Sequence, residues 1–161
     1  MAETILQKIV ERGHYKFVDR VDSWQDAVRL SCESLAETGF VSPDYYKQIV
    51  DCIEKYGPYV VFDHYVAMPH SQEGAEGANQ TAVGFMRVKE DVDFGKDEDG
   101  EDKVARLFFT LAAKDPNEHL DNMQQLMQIF TNEPLLDALM AANTPEDILK
   151  AEADYPPEDD F

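Results

Sequence analysis

The chain has 161 residues, enough for one domain with a sizeable core, and its 43% hydrophobic content is that of a globular protein. Fourteen Lys and Arg against 33 Asp and Glu leave a net charge of −19. That balance excludes nucleic acid and anionic membrane surfaces as partners, since each needs clustered cations, and it favours solubility and encounters with a basic protein. No apolar run approaches the roughly 20 residues that span a bilayer, and Met1-Ala2-Glu3-Thr4 shows no export signal, so a cytoplasmic protein is expected.

Residues 3–12 carry Ile5, Leu6, Ile9 and Val10 at helical spacing and stop at Gly13. Residues 14–18 suit a short strand. Ser23 caps a helix with Trp24, Ala27, Val28, Ser31 and Leu35 on one face and Gly39 at its end. Ser42-Pro43 opens another, with Tyr46, Ile49, Val50 and Ile53 as its stripe and Gly57 as its stop.

The period then changes. Residues 59–62 read as a strand and 65–68 as a second short one, ended by Pro69, which has no amide to give to a ladder. Residues 71–80, with Gly74 and Gly77, read as a loop. Residues 81–88 form a strong strand that Val92 and Phe94 either extend or follow with a ribbon, before a hyperacidic turn at 96–102. Residues 104–112 are almost continuously apolar, the mark of a strand buried on both faces.

A third long helix is expected to open at His119 with Leu120, Met123, Met127 and Phe130 on its core face. Pro134 begins a short helix through Met140, and Thr144 caps a last one with an acid in its third position. No repeat or linker divides the chain. The order predicts one α/β domain over residues 1–153, a central mixed β-sheet flanked by helices on both faces, and an acidic, disordered tail at 154–161.

Cys32 and Cys52 lie in helical segments without metal spacing and read as reduced core thiols. Nucleotide-binding glycine loops and the serine-hydrolase elbow are missing, and the carboxylates fall in turns and tail. The reactive candidates are histidines, which can serve as covalent nucleophiles. His70 follows Pro69 at a strand end, where sites in α/β folds tend to lie. His119 stands in the first turn of a helix, where free amides favour an anion. His64, six residues before His70, suggests a metal site with Asp63 or Glu118, but the spacing matches no known signature. His14 reads as a surface or strand-edge residue.

Ala67-Met68-Pro69-His70 resembles the phosphorylation-site motif of the mannitol/fructose-type enzyme IIA of the bacterial phosphoenolpyruvate-dependent sugar phosphotransferase system. Leu111-Ala112-Ala113-Lys114-Asp115 through Glu118-His119-Leu120 resembles the second histidine motif of that family. Trp24-Gln25-Asp26-Ala27-Val28, Tyr45-Tyr46, Gly57-Pro58-Tyr59 and Met127-Gln128-Ile129 bring the likeness nearest to the ascorbate-specific branch. It runs from about Ser23 to Leu149. The chain departs from the motif at Tyr65, where glycine is usual, and at His64.

The resemblance implies a phosphohistidine carrier without metal or cofactor. His70 would accept a phosphoryl group from phospho-HPr, on Nε2, and pass it to a cysteine of a cognate enzyme IIB, with the membrane permease engaged only indirectly. His119 would position His70 or stabilise the transfer state. Two alternatives stay open: a regulatory relative that controls another protein by its phosphorylation state, and a non-catalytic acidic interaction module.

Overall fold

The structure, a computed structural model, describes residues 4–62, 64–70 and 77–156. Among them run six helices and five strands: α1 (Ile5–Arg12), β1 (Tyr15–Val18), α2 (Trp24–Glu37), α3 (Tyr45–Tyr56), β2 (Val61–Phe62), β3 (Val66–Ala67), β4 (Ala82–Lys96), β5 (Asp102–Ala112), α4 (Pro116–Phe130), α5 (Glu133–Met140) and α6 (Pro145–Asp154). One sheet has the order β1-β4-β5-β3-β2. β1 lies parallel to β4 and β3 parallel to β5, whereas β4 with β5 and β2 with β3 are antiparallel. The expected α/β fold with a mixed sheet is therefore the observed one.

Both faces of β5 are covered, as its apolar run requires. Phe108 and Ala112 pack under α2 and α3 with Val28, Leu35, Tyr45 and Ile49. Leu107, Phe109 and Leu111 face the opposite layer, where α1, α4, α5 and α6 bring Leu6, Ile9, Leu126, Leu136, Leu139 and Ile148. Each large apolar side chain so buried contributes about 1.5–3 kcal/mol. Gly84 lets α2 come close: a Cβ there would stand 3.3 Å from Leu35 Cγ.

Helix ends follow their caps. Thr4 and Thr144 form capping boxes with Gln7 and Asp147, Ser23 accepts from the Asp26 amide, and Gly13 closes α1 in the left-handed region. Val92 and Phe94 extend β4, across a bulge that separates the Arg87–Leu107 and Val92–Ala105 pairs.

Several boundaries differ from expectation. Tyr59 and Val60 precede β2 rather than joining it. Helix α3 starts at Tyr45, and its buried stripe is Tyr45, Ile49, Cys52 and Ile53. The opening at Ser42-Pro43 instead forms a turn in which the Tyr45 amide reaches Ser42 O. Helix α4 starts at Pro116, and its core face is turned by about one residue from the expected one. Leu126 and Ile129 are buried with Met123 and Phe130 beside them, while Leu120 and Met127 are exposed. At the end of α6, Asn132 Nδ2 donates to the carbonyls of Tyr155 and Pro156; tail residues 157–161 lie outside the described residues.

Candidate active site

Because β3 and β5 run parallel, with Val66 against Leu107 and Ala67 against Phe108, their carboxyl ends lie side by side. From β3 the chain continues as Met68-Pro69-His70. The Met68 amide donates to Val60 O at 2.8 Å, and Pro69 O accepts from the Leu111 amide at 2.9 Å, so the pairing is carried to the residue before His70. Leu111 is fixed from its other side by Tyr45, whose hydroxyl donates to Leu111 O at 2.9 Å.

From β5 the chain turns through residues 113–115 into α4. Thr81, just before β4, holds that turn by accepting the amides of Lys114 and Asp115 at 2.9 and 2.7 Å. His119 then falls on the inner stripe of α4, four residues before Met123 and seven before Leu126. This register, not the one starting at Leu120, turns the imidazole inward.

The His70 imidazole is half-buried and held by two contacts, with a third on its main chain. Its Nδ1–H donates to Met68 O at 2.6 Å, which leaves Nε2 as the nitrogen with a free lone pair. Tyr59 meets the ring edge to face, with centroids 5.1 Å apart and planes at 88°, and the Tyr59 hydroxyl donates to the His70 carbonyl. Burial lowers the pKa of His70 from the ordinary value; the Met68 carbonyl opposes the shift and the charge of nearby His119 adds to it. The two histidines singled out in the sequence are thus close enough to feel each other. His119 is half-buried, and its Nδ1 is enclosed with no hydrogen-bond partner among the described residues.

The amides expected to be free at the start of α4 are not. Pro116 has none, and the Asp115 carboxylate accepts those of Asn117 and Glu118 at 2.9 and 3.4 Å. The His119 amide goes to Asp115 O. The anion at this helix terminus is therefore the protein's own. The amides expected to be free in the loop after His70 belong to residues 71–76, outside the described residues.

His64 does not join His70. It sits in the β2–β3 turn with φ 65°, and Nε2 donates to Asp137 Oδ1 at 2.8 Å, with Glu133 Oε1 3.5 Å from Nδ1. The even spacing carried no weight because the segment is a turn rather than an extended strand. Asp63 lies outside the described residues, and among the described residues no group of three or more His, Cys, Asp or Glu could hold a metal ion.

His14 adjoins the edge strand β1, in keeping with the strand-edge reading, but does not lie at the surface. Only 1% of it is exposed, its ring lies against Phe40, and Nε2–H donates to the Thr38 hydroxyl at 2.9 Å. Sequence reasoning also missed Thr81 as the anchor of the β5–α4 turn. It placed Tyr59 in the expected strand at 59–62 and within Gly57-Pro58-Tyr59, without a role at the site.

A half-buried imidazole kept neutral, with one nitrogen bound and the other open, can act as a nucleophile or a base. Comparison with known proteins narrows the choice. The family model described as "Phosphoenolpyruvate-dependent sugar phosphotransferase system, EIIA 2" matches residues 8–152. An ascorbate-specific EIIA component of Shigella boydii serotype 4 is 31% identical, over 88% of this chain and 90% of that protein. A crystal structure of a putative PTS IIA domain from Streptococcus pyogenes M1 GAS superposes with a TM-score of 0.80 at 30% identity, covering 95% and 96% of the two chains. Enzyme IIA of the Escherichia coli mannitol system, solved in complex with its phosphorylated enzyme IIB, gives 0.70 at 26% identity, covering 86% and 94%. The chain accordingly belongs to the type 2 EIIA family of the sugar phosphotransferase system and is a phosphotransferase component.

Proposed function

We propose that His70 is the phosphoryl carrier of this EIIA and that His119 assists it. The observation that carries the reading is the hydrogen bond from His70 Nδ1–H to the Met68 carbonyl, at the end of a strand whose parallel neighbour β5 leads into the helix of His119. It fixes one tautomer, so the lone pair that attacks phosphorus is on Nε2. The Nε2–P bond forms as the bond from phosphorus to the donor, phospho-HPr, breaks, and the electron pair of that bond returns to the donor. In the onward step a cysteine sulfur of enzyme IIB attacks phosphorus, and the Nε2–P electrons return to His70.

Little covalent work falls to the rest of the protein, so placement and charge stabilisation dominate. With the α4 amides bound by Asp115, the donor to the moving phosphoryl oxygens is His119. Its enclosed Nδ1 leaves Nε2 to serve. The transfer takes place in the cytoplasm and needs neither metal nor cofactor. The likeness to ascorbate-specific relatives supports ascorbate as the sugar served. The likeness to an EIIA solved with its enzyme IIB supports that partner.

The test is incubation with phosphoenolpyruvate, enzyme I and HPr, followed by intact mass at neutral to alkaline pH. One acid-labile phosphoryl group is expected on the wild type and none on His70→Ala. His119→Ala still takes up the group, about 10²–10³-fold more slowly, the loss typical of a deleted transition-state donor. Uptake by His70→Ala would falsify the assignment. Phosphoryl passage to the enzyme IIB of an ascorbate system and not to that of a mannitol system fixes the sugar; the reverse preference overturns it.

A further inference from the structure

We infer that Tyr59 is a positioning residue for His70, acting with the Met68 carbonyl to hold the imidazole in one orientation and one tautomer; this rests on His70 as the carrier. Among the described residues the last main-chain bond to β5 is at Pro69 O, one residue short of the histidine, and Pro69 has no N–H to add to it. The hydrogen bond to the His70 carbonyl comes from a side chain instead, the Tyr59 hydroxyl. The same tyrosine lays its ring against the imidazole at 88°, so one residue grips the main chain and the side chain of His70 together.

Tyr59 is itself fixed. Its amide donates to Gly57 O at 2.8 Å, the Val61 amide to Pro58 O at 3.2 Å, and the next residue, Val60, accepts the Met68 amide at 2.8 Å. The segments carrying Tyr59 and His70 are therefore pinned to each other two residues from the site. A free imidazole in water prefers the Nε2–H tautomer, whose lone pair is on the wrong nitrogen for this transfer. Rotation of the ring about its side-chain bonds breaks the Nδ1–H bond to Met68 O and permits that tautomer. The Tyr59 ring, packed edge to face against the imidazole, opposes that rotation, which is what a positioning residue has to do.

The experiment is two-bond 1H–15N correlation of the imidazole nitrogens at a pH where His70 is neutral, on wild type, Tyr59→Phe and Tyr59→Leu, together with the rate of phosphoryl uptake and the thermal midpoint. The wild type is expected to show His70 protonated on Nδ1 and bare on Nε2. In Tyr59→Leu the pattern moves toward the Nε2–H form and uptake slows by about tenfold to a hundredfold at saturating phospho-HPr, with KM unchanged. Tyr59→Phe keeps the ring contact and falls between the two. If Tyr59→Leu does not fold, Tyr59→Phe alone decides by the same readouts. A wild-type nitrogen pattern and rate in the variant that folds overturns the proposal, including where the melting temperature drops, because that is the mark of a packing role. Because the tautomer is read without any transfer, failure of the wild type to take up phosphate overturns the carrier reading and leaves the Tyr59 contact separately measurable.

Discussion

His14 and His70 sit in similar cages, one buried and the other half-buried, yet they commit different ring nitrogens. Each meets an aromatic ring nearly at right angles, Phe40 for His14 and Tyr59 for His70, and each has one ring nitrogen in a hydrogen bond. Burial is the largest cause of a lowered pKa at both. What separates them is the choice of nitrogen and the neighbour. His14 commits Nε2 to a threonine hydroxyl and lies beside the Arg12 charge, 1% exposed, where no second protein can reach it. His70 commits Nδ1 to a carbonyl, keeps a partly open face and has His119 beside it. A lowered histidine pKa thus marks burial; the unbound nitrogen and its access mark a nucleophile.

The sharpest way to break this contrast is to exchange the losses. His70→Gln abolishes phosphoryl uptake while leaving the thermal midpoint within a few degrees of wild type. His14→Gln retains uptake at a rate within about twofold, since the residue lies outside the site. Uptake lost in His14→Gln while the protein stays folded would show the two cages to be one system.

The next largest effect is on stability. The pKa of His14 is lowered from 6.5 to about 4 in the folded protein, so the unfolded chain binds the extra proton more readily. The fold therefore loses stability as pH falls below 6.5, by an amount that grows until about pH 4 and approaches ~3 kcal/mol. Urea melts across that window are expected to show the loss in wild type and a much smaller one in His14→Gln. An NMR titration that places the His14 midpoint near 6.5 would remove the basis for it.

How much of this was legible in the sequence follows from what each signal depends on. Two histidines after β-like runs were readable, because β3 and β5 end in a proline and in a helix-capping aspartate, and those breaks are local. That the two strands are parallel neighbours, which brings the histidines together, depends on long-range pairing that no residue announces. The stripe of α4 was read one residue off because Leu120 and Met127 are apolar yet exposed, and helical spacing cannot rank two candidate faces by itself. His14, read as a surface or strand-edge residue, adjoins the edge strand β1 but is buried, because a distant partner, Thr38, satisfies its polar side chain. The Asp115 cap was the missed local signal. An aspartate before proline at a helix start announces that the terminal amides are already taken.

The smallest effect concerns the departure at Tyr65, the position where the family motif usually has glycine. His64 and Tyr65 both have positive φ, 65° and 63°, in the left-handed region that glycine and asparagine favour. A non-glycine residue in the left-handed region costs about 1–2 kcal/mol, which accounts for glycine as the usual choice. Tyr65 recovers part of that by lying under the Arg106 guanidinium, 5.5 Å from the ring centroid, while its carbonyl accepts the amides of Arg106 and Leu107 at the entrance to the β3–β5 pairing. Replacement by asparagine, which tolerates the left-handed region, relieves the strain but forfeits the stacking, and replacement by glycine adds the entropy of a freer unfolded chain. Tyr65→Asn is therefore expected to raise stability by about 0.5 kcal/mol and Tyr65→Gly to change it by less, with the rate of phosphoryl uptake unaltered in either. Denaturant midpoints at constant m-value read this directly. A loss of more than about 2 kcal/mol in both variants would mean that the Arg106 contact, rather than the backbone, sets the shape of the turn that leads into His70.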